Sequence, residues 1–274
     1  MSLAGNRANH FMTEKNKVAL VTGASSGIGR ALVKILAREG WRVYAVARRE
    51  AELISLQLEC QLNYGAEMVP IVMDLSLPGG ALSLKTSLQE KKISLDLLVN
   101  NAGLGDLADF ENQSLAHILQ IIRVNILALT ELCHYFIPDL LKTRGKILNV
   151  ASMAAFQAGP GMAVYYASKA YVLSLSEALS LELKSRVSVT ALCPGPTESE
   201  FQQVACVQDL PFFNRSLPKA ETVALYGYHA LMKGQRLAIP GFRHQLLIFS
   251  ERLLPRLWVL KIIHFLQSRR TKQK

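Results

Sequence analysis

The fold is decided by the stretch Lys17-Val-Ala-Leu-Val-Thr-Gly-Ala-Ser-Ser-Gly-Ile-Gly29. Its first six residues form an apolar run that is too short for a helix and is followed by glycine, which predicts a strand buried on both faces. An apolar period of helical spacing then runs from Ile28 to Leu36 and closes at Gly40. The stretch therefore predicts a strand, a glycine-rich turn and a helix, the unit from which parallel sheets are built.

Glycine stands at three places in this turn, and each place has a use in binding a dinucleotide. Gly23 permits the tight turn, Gly27 lets a pyrophosphate approach the backbone, and Gly29 lets the helix pack closely on the strand. The helix N-terminus would face the anion. Structural turns also contain such glycines, but their position between strand and helix favours a dinucleotide site. We expect this site to include, besides the glycines, Ser25, Ser26 and Ile28.

The residues after the second predicted strand indicate which dinucleotide would bind. That strand covers Trp41 to Ala47, and about 20 residues past the glycines an NAD site places an acid on the ribose 2′-hydroxyl. Here Arg48 and Arg49 follow instead. Two guanidinium groups attract a 2′-phosphate and no carboxylate repels it, so the sequence predicts NADP(H) in preference to NAD(H). The alternative is that one of the arginines merely begins a solvated helix.

Strand and helix alternate six times along the chain, which predicts one α/β domain. We expect a single Rossmann-like, doubly wound parallel sheet of about seven strands with helices on both faces, followed by a basic, apolar C-terminal helical extension. Further strands are predicted at residues 68–73, 95–99, 145–150 and 187–192, with a last strand and turn at Ile239-Pro-Gly241.

Ligands of such sheets bind beyond the carboxyl ends of the strands, and short polar motifs follow two of the predicted strands. Asp74 and Leu75 come after the third strand, where a polar side chain could meet adenine. Asn101, Ala102 and Gly103 come after the fourth, where small residues let the chain pass close to a ligand. On its own the second motif could also be a plain turn.

A long helical stretch is predicted from Leu115 to Leu141, broken or bent near Pro138. Asn125 lies within its apolar face. A buried asparagine in mid-helix requires hydrogen-bond partners, so it is either a satisfied core amide or a residue of a site. The spacing does not decide between the two.

Ser152, Tyr165 and Lys169 fall in one segment after the fifth strand. If the chain is helical from Met162, the tyrosine and lysine stand at i and i+4 on one face. An ammonium group beside a phenol stabilises the phenolate and lowers a pKa that starts at about 10, which suits a general acid or base. Ser152 would hold a substrate oxygen against the phenol. The alternative is a Tyr and a Lys on a solvated helix face.

The motifs together resemble the short-chain dehydrogenase/reductase family over roughly Lys17 to Ile239, and their combination in this order is far more specific than any one of them. They are Thr22-Gly-Ala-Ser-Ser-Gly-Ile-Gly29, Asn100-Asn-Ala-Gly103, Asn125, Ser152, Tyr165-x-x-x-Lys169 and Cys193-Pro-Gly195. The resemblance decides against the solvated-face alternative.

The resemblance implies a catalytic tetrad of Asn125, Ser152, Tyr165 and Lys169. Tyr165 would donate a proton to a carbonyl oxygen that Ser152 hydrogen-bonds, while the nicotinamide delivers hydride to the carbon. Lys169 would lower the tyrosine pKa and bind the nicotinamide ribose. Asn125 would hold a water that connects Lys169 to solvent.

Two departures from the family pattern concern the cofactor. The family commonly has Pro-Gly-x-Val-x-Thr after the sixth strand, whereas this chain has Pro194-Gly195-Pro-Thr197-Glu-Ser199. Either Thr197 or Ser199 would then meet the nicotinamide, beside Pro194 and Gly195. Ser26 occupies a position that is basic in many NADP-using members, so NADP selection would fall on Arg48, together with Arg49.

Composition limits the partners. Half of the 274 residues are hydrophobic, and four dispersed cysteines without a His/Cys cluster indicate neither a metal site nor a disulfide framework, so we expect a cytoplasmic protein. The net charge of +10 is concentrated in Arg236 to Lys274, which holds nine Lys or Arg and one acid, a net +8. Aromatic residues are not interleaved with these cations in a base-stacking pattern, so no nucleic acid is expected to bind.

The predicted organisation is a disordered arm (residues 1–16), an oxidoreductase domain (17–241) and the C-terminal extension (242–274). A lid at about residues 200–218 is rich in apolar side chains, which favours a small apolar carbonyl or alcohol substrate or else ordinary packing. The extension would pack on the domain or on another subunit, or lie peripherally on an anionic membrane. The resemblance implies a homodimer or homotetramer.

Three functions agree with the sequence. The leading one is an NADP(H)-dependent oxidoreductase that reduces an apolar carbonyl compound or oxidises a secondary alcohol. A non-catalytic dinucleotide-binding sensor or scaffold of the same fold has no need of Tyr165 together with Lys169. A sugar-nucleotide epimerase or dehydratase shares Tyr-x-x-x-Lys, but the chain is short for that branch.

Overall fold

The structure is a computed structural model that describes residues 17–205, 207, 217–251 and 253–268. Within these residues, seven strands form one sheet. They are β1 (Val18–Thr22), β2 (Arg42–Ala47), β3 (Met68–Val72), β4 (Leu97–Asn100), β5 (Lys146–Val150), β6 (Ser188–Leu192) and β7 (Leu237–Ala238). All neighbouring strands are parallel, and their order is β3-β2-β1-β4-β5-β6-β7.

Helices connect the strands and continue beyond the last of them. They are α1 (Gly27–Arg38), α2 (Glu50–Tyr64), α3 (Gly80–Glu90), α4 (Leu115–Ile122), α5 (Leu129–Thr143), α6 (Ala163–Glu182), α7 (Phe201–Val204), α8 (Ala220–Met232), α9 (Phe242–Glu251) and α10 (Arg256–Ser268). Short 3₁₀ turns lie at Phe110–Asn112 and Met153–Phe156.

Both faces of the sheet are covered, because successive strand side chains point to opposite sides. Val21 of β1 belongs to a buried cluster with α1, α2 and α8. Leu20, the residue before it, belongs to a second cluster with α3, α5 and α6. The predicted doubly wound parallel sheet with a helical C-terminal extension is therefore confirmed.

Two details of the sheet follow from proline. Pro70 lies in β3, which is an edge strand of the described sheet, and there its missing N–H interrupts no inner ladder. The last strand is Leu237–Ala238 and ends before the predicted Ile239-Pro-Gly241, since Pro240 cannot donate a hydrogen bond to a neighbouring strand. The predicted position of the last strand is thus wrong by two residues.

The long helical run differs from its prediction in where it is irregular. Pro138 does not end the helix, because α5 continues through it and packs Phe136 and Leu140 into the core. The irregularity is a π-helix at Arg123–Ala128, between α4 and α5, and it contains Asn125. Such segments insert an extra residue into the helical turn and are frequent at functional sites.

Leu115–Thr143 is also the one helix of the described residues that is long and apolar enough to cross a membrane, with a mean hydropathy of 1.4. Core helices of soluble proteins meet the same criterion, and Leu132, Phe136 and Leu140 of this run are buried against the sheet. The run therefore supplies only weak evidence for a membrane span.

Some predictions lie outside the described residues. These are the arm at residues 1–16, the lid residues 206 and 208–216, and the end of the extension at 269–274.

The sheet changes its winding direction between β1 and β4, and at such a switch point the connections diverge and leave a crevice. Thr22 Oγ1 accepts hydrogen bonds from Asn101 N at 3.0 Å and Ala102 N at 3.1 Å, and donates to Val99 O at 3.3 Å. Asn101 Nδ2 donates in return to Thr22 O at 3.0 Å and Gly23 O at 3.1 Å. These bonds, named here the switch-point clamp, fix the two walls of the crevice against each other.

Thr22→Val tests the clamp. The substitution keeps the side-chain shape but leaves the two N–H groups on Asn101 and Ala102 without their acceptor in a site where Thr22 is 1% exposed. We expect the free energy of unfolding in urea to fall by about 2 kcal/mol. Thr86→Val on the exposed side of α3 is the matched control and should change it by less than about 0.5 kcal/mol. Equal effects of the two variants would contradict the assigned role.

Candidate active site

A cavity of about 1080 Å³ lies at the carboxyl ends of the strands. It brings together nearly all the residues that the sequence predicted for a site, although they come from every part of the sheet. Of the predicted residues, Gly29 and Asn125 do not line it. Those that do are Gly23, Ser25, Ser26, Gly27, Ile28, Arg48, Arg49, Asp74, Leu75, Asn101, Ala102, Gly103, Ser152, Tyr165, Lys169, Pro194, Gly195, Thr197 and Ser199.

The glycine turn between β1 and α1 forms one wall. Gly23 has a φ of +65°, and a Cβ at this position would lie 2.8 Å from Ala102 Cα. Gly29 lies behind this wall, and a Cβ there would be 2.2 Å from Gly23 O, so the close packing of α1 on the turn requires glycine. Because α1 begins at Gly27, its free N–H groups border the cavity, and that arrangement suits a phosphate group.

The two arginines after β2 have different surroundings. Arg49 Nη2 lies 2.8 Å from Glu200 Oε2 and 3.1 Å from Ser25 Oγ, so Arg49 joins the glycine turn to the start of α7. Arg48 lines the cavity and has no ion-pair partner among the described residues. Of the two, Arg48 is therefore the guanidinium free to meet an anion.

The polar residue after β3 is held by its own turn. Asp74 Oδ1 accepts a hydrogen bond from Ser76 N at 2.8 Å, which fixes the carboxylate at the cavity wall. Leu75 beside it is buried, with 8% of its surface exposed. Asp74 and Leu75 thus place one polar and one apolar side chain side by side in the cavity wall.

Ser152, Tyr165 and Lys169 meet where β5 ends and α6 begins. Ser152 Oγ accepts a hydrogen bond from Ala154 N at 3.1 Å and so caps the 3₁₀ turn at Met153–Phe156. Tyr165 and Lys169 lie one turn apart in α6, as predicted. Lys169 Nζ donates to Val150 O at 2.9 Å and lies 5.8 Å from the centre of the Tyr165 ring.

The electrostatics of this pair differ from the expectation. The sequence predicted that Lys169 would lower the pKa of Tyr165. Burial instead raises the pKa of Tyr165 to about 12, and a polar interaction with Ser152 offsets only part of this rise. Burial also lowers the pKa of Lys169 to about 8, since a charged ammonium is unfavourable away from water. The predicted lowering is therefore wrong, because burial of the phenol sets the direction of the shift in its pKa.

Asn125 is a fully engaged amide behind the cavity. Its Oδ1 accepts from Leu104 N at 2.8 Å, and its Nδ2 donates to Leu104 O at 2.9 Å and Ser168 Oγ at 2.9 Å. Gly103, the neighbour of Leu104, lies close to Lys169 Nζ, which would be 3.3 Å from an added Cβ. The side chain of Asn125 thus holds the loop after β4 against the lysine.

The loop after β6 presents two hydroxyl groups to the cavity. Thr197 Oγ1 donates to Gly195 O at 2.9 Å, whereas the Ser199 side chain lies against the glycine turn, 3.1 Å from where a Cβ of Gly27 would be. Ser199 is therefore at the end of the cavity that suits a phosphate, and Thr197 is nearer to the middle of the loop.

Several lining residues were missed from the sequence. Gln157 directly follows the 3₁₀ turn at Met153–Phe156, and its buried Oε1 has no hydrogen-bond partner among the described residues. His244 and Glu251 of α9 also line the cavity. His244 Nδ1 lies 2.8 Å from Pro240 O, and because a carbonyl oxygen only accepts, this nitrogen is the donor. The sequence offered one sign that α9 contributes to a site: Glu251 is the only acid from Arg236 to Lys274.

No three His, Cys, Asp or Glu side chains come together as metal ligands in the part of the chain that the structure describes. Cys60, Cys133 and Cys193 are buried free thiols, and Cys206 lies outside that part. The chemistry of the cavity is that of hydroxyl, amine, amide and guanidinium groups.

The family model described as short chain dehydrogenase matches residues 17–208. The 11-beta-hydroxysteroid dehydrogenase-like 4A of Arabidopsis thaliana is 36% identical over 184 residues, which cover 67% of this chain and 62% of that protein. The chain thus spans less than two thirds of that relative's length.

Solved structures agree with this match. A short-chain dehydrogenase from Sphingobium yanoikuyae in complex with NADPH has a TM-score of 0.77 and 29% identity, over 86% of this chain and 93% of that one. A short-chain dehydrogenase/reductase from Burkholderia phymatum in complex with NAD has a TM-score of 0.78 over 87% and 93%, and at 23% identity it shows the fold alone. With more than half of its residues matched by the family model, this chain belongs to the short-chain dehydrogenase family.

Proposed function

We propose that the protein is an NADP(H)-dependent oxidoreductase that reduces a carbonyl group on an apolar substrate, or oxidises the corresponding secondary alcohol. One observation carries the proposal: Ser152, Tyr165 and Lys169 face the same cavity as the glycine turn. A proton donor and a dinucleotide-binding wall then border one space. The Arabidopsis relative, named as a hydroxysteroid dehydrogenase-like protein, supports an apolar substrate.

The residues present fit a nicotinamide dinucleotide. The backbone approach at Gly23 leaves no room for a side chain, and the N-terminus of α1 offers free N–H groups to a pyrophosphate. Asp74 and Leu75 would border the adenine, while Pro194, Gly195 and Thr197 would border the nicotinamide. Ser199, which lies against Gly27, would contact the phosphates.

Such a cofactor supplies the hydride when it is bound. Tyr165 holds the proton for the carbonyl oxygen, since a pKa of about 12 keeps its hydroxyl protonated at neutral pH. Ser152 hydrogen-bonds the same oxygen and orients it toward the phenol. As the proton leaves, negative charge develops on Tyr165, and the Lys169 ammonium, 5.8 Å from the ring centre, stabilises it.

Asn125 would act through its neighbours. Its two hydrogen bonds to Leu104 hold the loop that lies beside Lys169. We keep the water-mediated link from Lys169 to solvent, which the family resemblance implies, as part of the proposal. In this account Asn125 is a positioning residue, because its side chain does not line the cavity.

The substrate half of the cavity is mostly apolar. Met153, Met162, Phe201 and Leu254 line it, and the tilted ring of Phe201 packs against Tyr165 with ring centres 5.3 Å apart. Apolar walls with few polar groups suit an apolar ketone, aldehyde or secondary alcohol. The homodimer or homotetramer implied by the family, cytoplasmic localisation and peripheral membrane contact also stand as proposals.

Tyr165→Phe separates the enzyme from the non-catalytic sensor or scaffold. The variant lacks the proton donor, so we expect NADPH oxidation with a panel of apolar ketones to fall by about 100- to 10,000-fold. NADPH binding, followed by fluorescence, should change by less than about threefold, because the ring remains. Tyr166→Phe is the matched control and should keep most of the activity. Undiminished turnover in Tyr165→Phe would exclude the proposed mechanism.

Arg48→Ala tests the choice of cofactor. Loss of a charge-assisted contact to a 2′-phosphate should weaken NADPH binding about 10- to 100-fold and leave NADH binding within about twofold. Arg49→Ala should have a smaller effect, since Arg49 is paired with Glu200. Calorimetry with both dinucleotides measures the difference. If Arg48→Ala weakened both equally, the arginine would not read the phosphate.

The pH dependence of reduction should follow Lys169. Its pKa of about 8 means that the ammonium is charged below pH 8 and is lost as the pH rises above it. We expect kcat/KM for carbonyl reduction to be level below that pH and to fall about tenfold per pH unit above it. In Lys169→Arg the guanidinium stays charged, so kcat/KM should no longer fall above pH 8, even if the variant is slower at every pH. An unchanged profile in the variant would assign the ionisation to another group.

A further inference from the structure

The C-terminal extension lies across the cavity and forms part of its wall. On α10 the lining residues are Val259, Ile262, Ile263 and Leu266, which recur at the spacing of one helix face. On α9, Leu247 and Glu251 line the same space. The extension therefore belongs to the structure of the site and is not an appendage beside it.

The opposite side of α9 and α10 is apolar and exposed. We name it the outer face, and it consists of Phe242, Leu246, Phe249, Leu257, Trp258 and Phe265. Phe242 is 76% exposed and Trp258 is 62% exposed. A helix that is apolar on nearly all sides is normally covered, and contiguous exposed apolar patches mark binding surfaces.

Cations surround the outer face. Arg256 and Lys261 are exposed on α10, and neither has an ion-pair partner among the described residues, whereas Arg243 of α9 lines the cavity. The sequence adds four more Lys or Arg at residues 269–274. The one acid of this segment, Glu251, lies on the cavity side with a buried Oε2, and burial raises its pKa to about 7. The outer face thus consists of apolar side chains, and the charged side chains around it are all positive.

We propose that the outer face binds an anionic lipid bilayer and that the cavity takes its apolar carbonyl or alcohol substrate from that bilayer. Exposed aromatic and aliphatic side chains enter the interface, while arginine and lysine contact acidic headgroups. Because α10 separates the outer face from the cavity by one helix diameter, about 10 Å, a bilayer-dissolved substrate has a short path to Tyr165. The uptake of substrate from the bilayer rests on the proposed function, whereas the binding of the bilayer does not.

Charge argues against a second copy of the chain as the occupant. A two-fold symmetric interface sets the same patch against itself. Arg256 and Lys261 would then face the cations of the partner in a desolvated contact, and the segment offers no exposed acid to neutralise them. An acidic membrane supplies the missing charge.

Flotation of the full chain tests the surface. Vesicles of equal parts phosphatidylserine and phosphatidylcholine should carry the protein, high salt should release it, and phosphatidylcholine alone should bind it weakly. Arg256→Gln with Lys261→Gln should weaken partitioning about 30-fold. The control, Lys91→Gln with Lys184→Gln, removes the same charge from exposed positions on the domain and should bind as the parent does.

Trp258 reports the depth of contact. Of the two tryptophans, Trp41 is buried in the core, so quenching by brominated acyl chains should come from Trp258 and vanish in Trp258→Phe while flotation persists. No quenching, equal flotation on neutral vesicles, or self-association of the full chain through the outer face would overturn the membrane proposal.

Delivery of substrate is tested separately. With an apolar ketone dissolved in anionic vesicles, the parent should turn over about tenfold faster than the Arg256/Lys261 variant, and both should be equal with a water-soluble ketone. Equal rates on the vesicle-borne ketone would overturn delivery. Absence of turnover with either ketone would instead refute the proposed function and leave the flotation result standing.

Discussion

The site depends on the switch-point clamp, the hydrogen bonds that join the end of β1 to the loop after β4. The sheet winds outward in two directions from these strands, so the chain departs from their carboxyl ends to opposite sides of the sheet. Thr22 and Asn101 satisfy one another there with backbone and side-chain bonds of 3.0 Å. The glycine turn, the loop at Ala102 and Gly103, and hence Lys169 beside Gly103, take their positions from this junction.

Burial then sets the chemistry of what the clamp positions. Burial raises the pKa of Tyr165 from 10.0 to about 12 and lowers the pKa of Lys169 from 10.5 to about 8, so the two values move apart and their order is reversed. Desolvation disfavours both charged forms, which favours a neutral phenol and makes the amine easier to deprotonate. When Tyr165 gives its proton to a carbonyl oxygen it becomes a phenolate, and the charged form of Lys169 stabilises that phenolate. The site is thus suited to stabilise the phenolate formed during the reaction and not a permanent ion pair.

The features that could be predicted from the sequence are those formed by residues close together in the chain. The glycine turn and the Tyr165–Lys169 spacing each lie within one strand–turn–helix or one helical turn, and strand periodicity gave the sheet. Sequence reasoning missed what is decided by distant contacts: Asn125 in the π-helix bonds to Leu104, 21 residues away, and Arg49 pairs with Glu200 at the start of α7. The rise in the Tyr165 pKa was invisible for the same reason, since i, i+4 spacing shows the neighbouring charge but not the loss of water.

The central claim is that the Tyr165 hydroxyl stands within proton-transfer distance of a carbonyl placed over the cofactor ring. A crystal structure with NADPH and an unreactive apolar ketone analogue measures this most directly. We expect the Tyr165 oxygen and the ketone oxygen to lie about 3 Å apart, with the Ser152 hydroxyl bonded to the same ketone oxygen and the nicotinamide ring beside the carbonyl carbon. A hydroxyl turned toward bulk water, or a nicotinamide ring bound away from Tyr165, would contradict it.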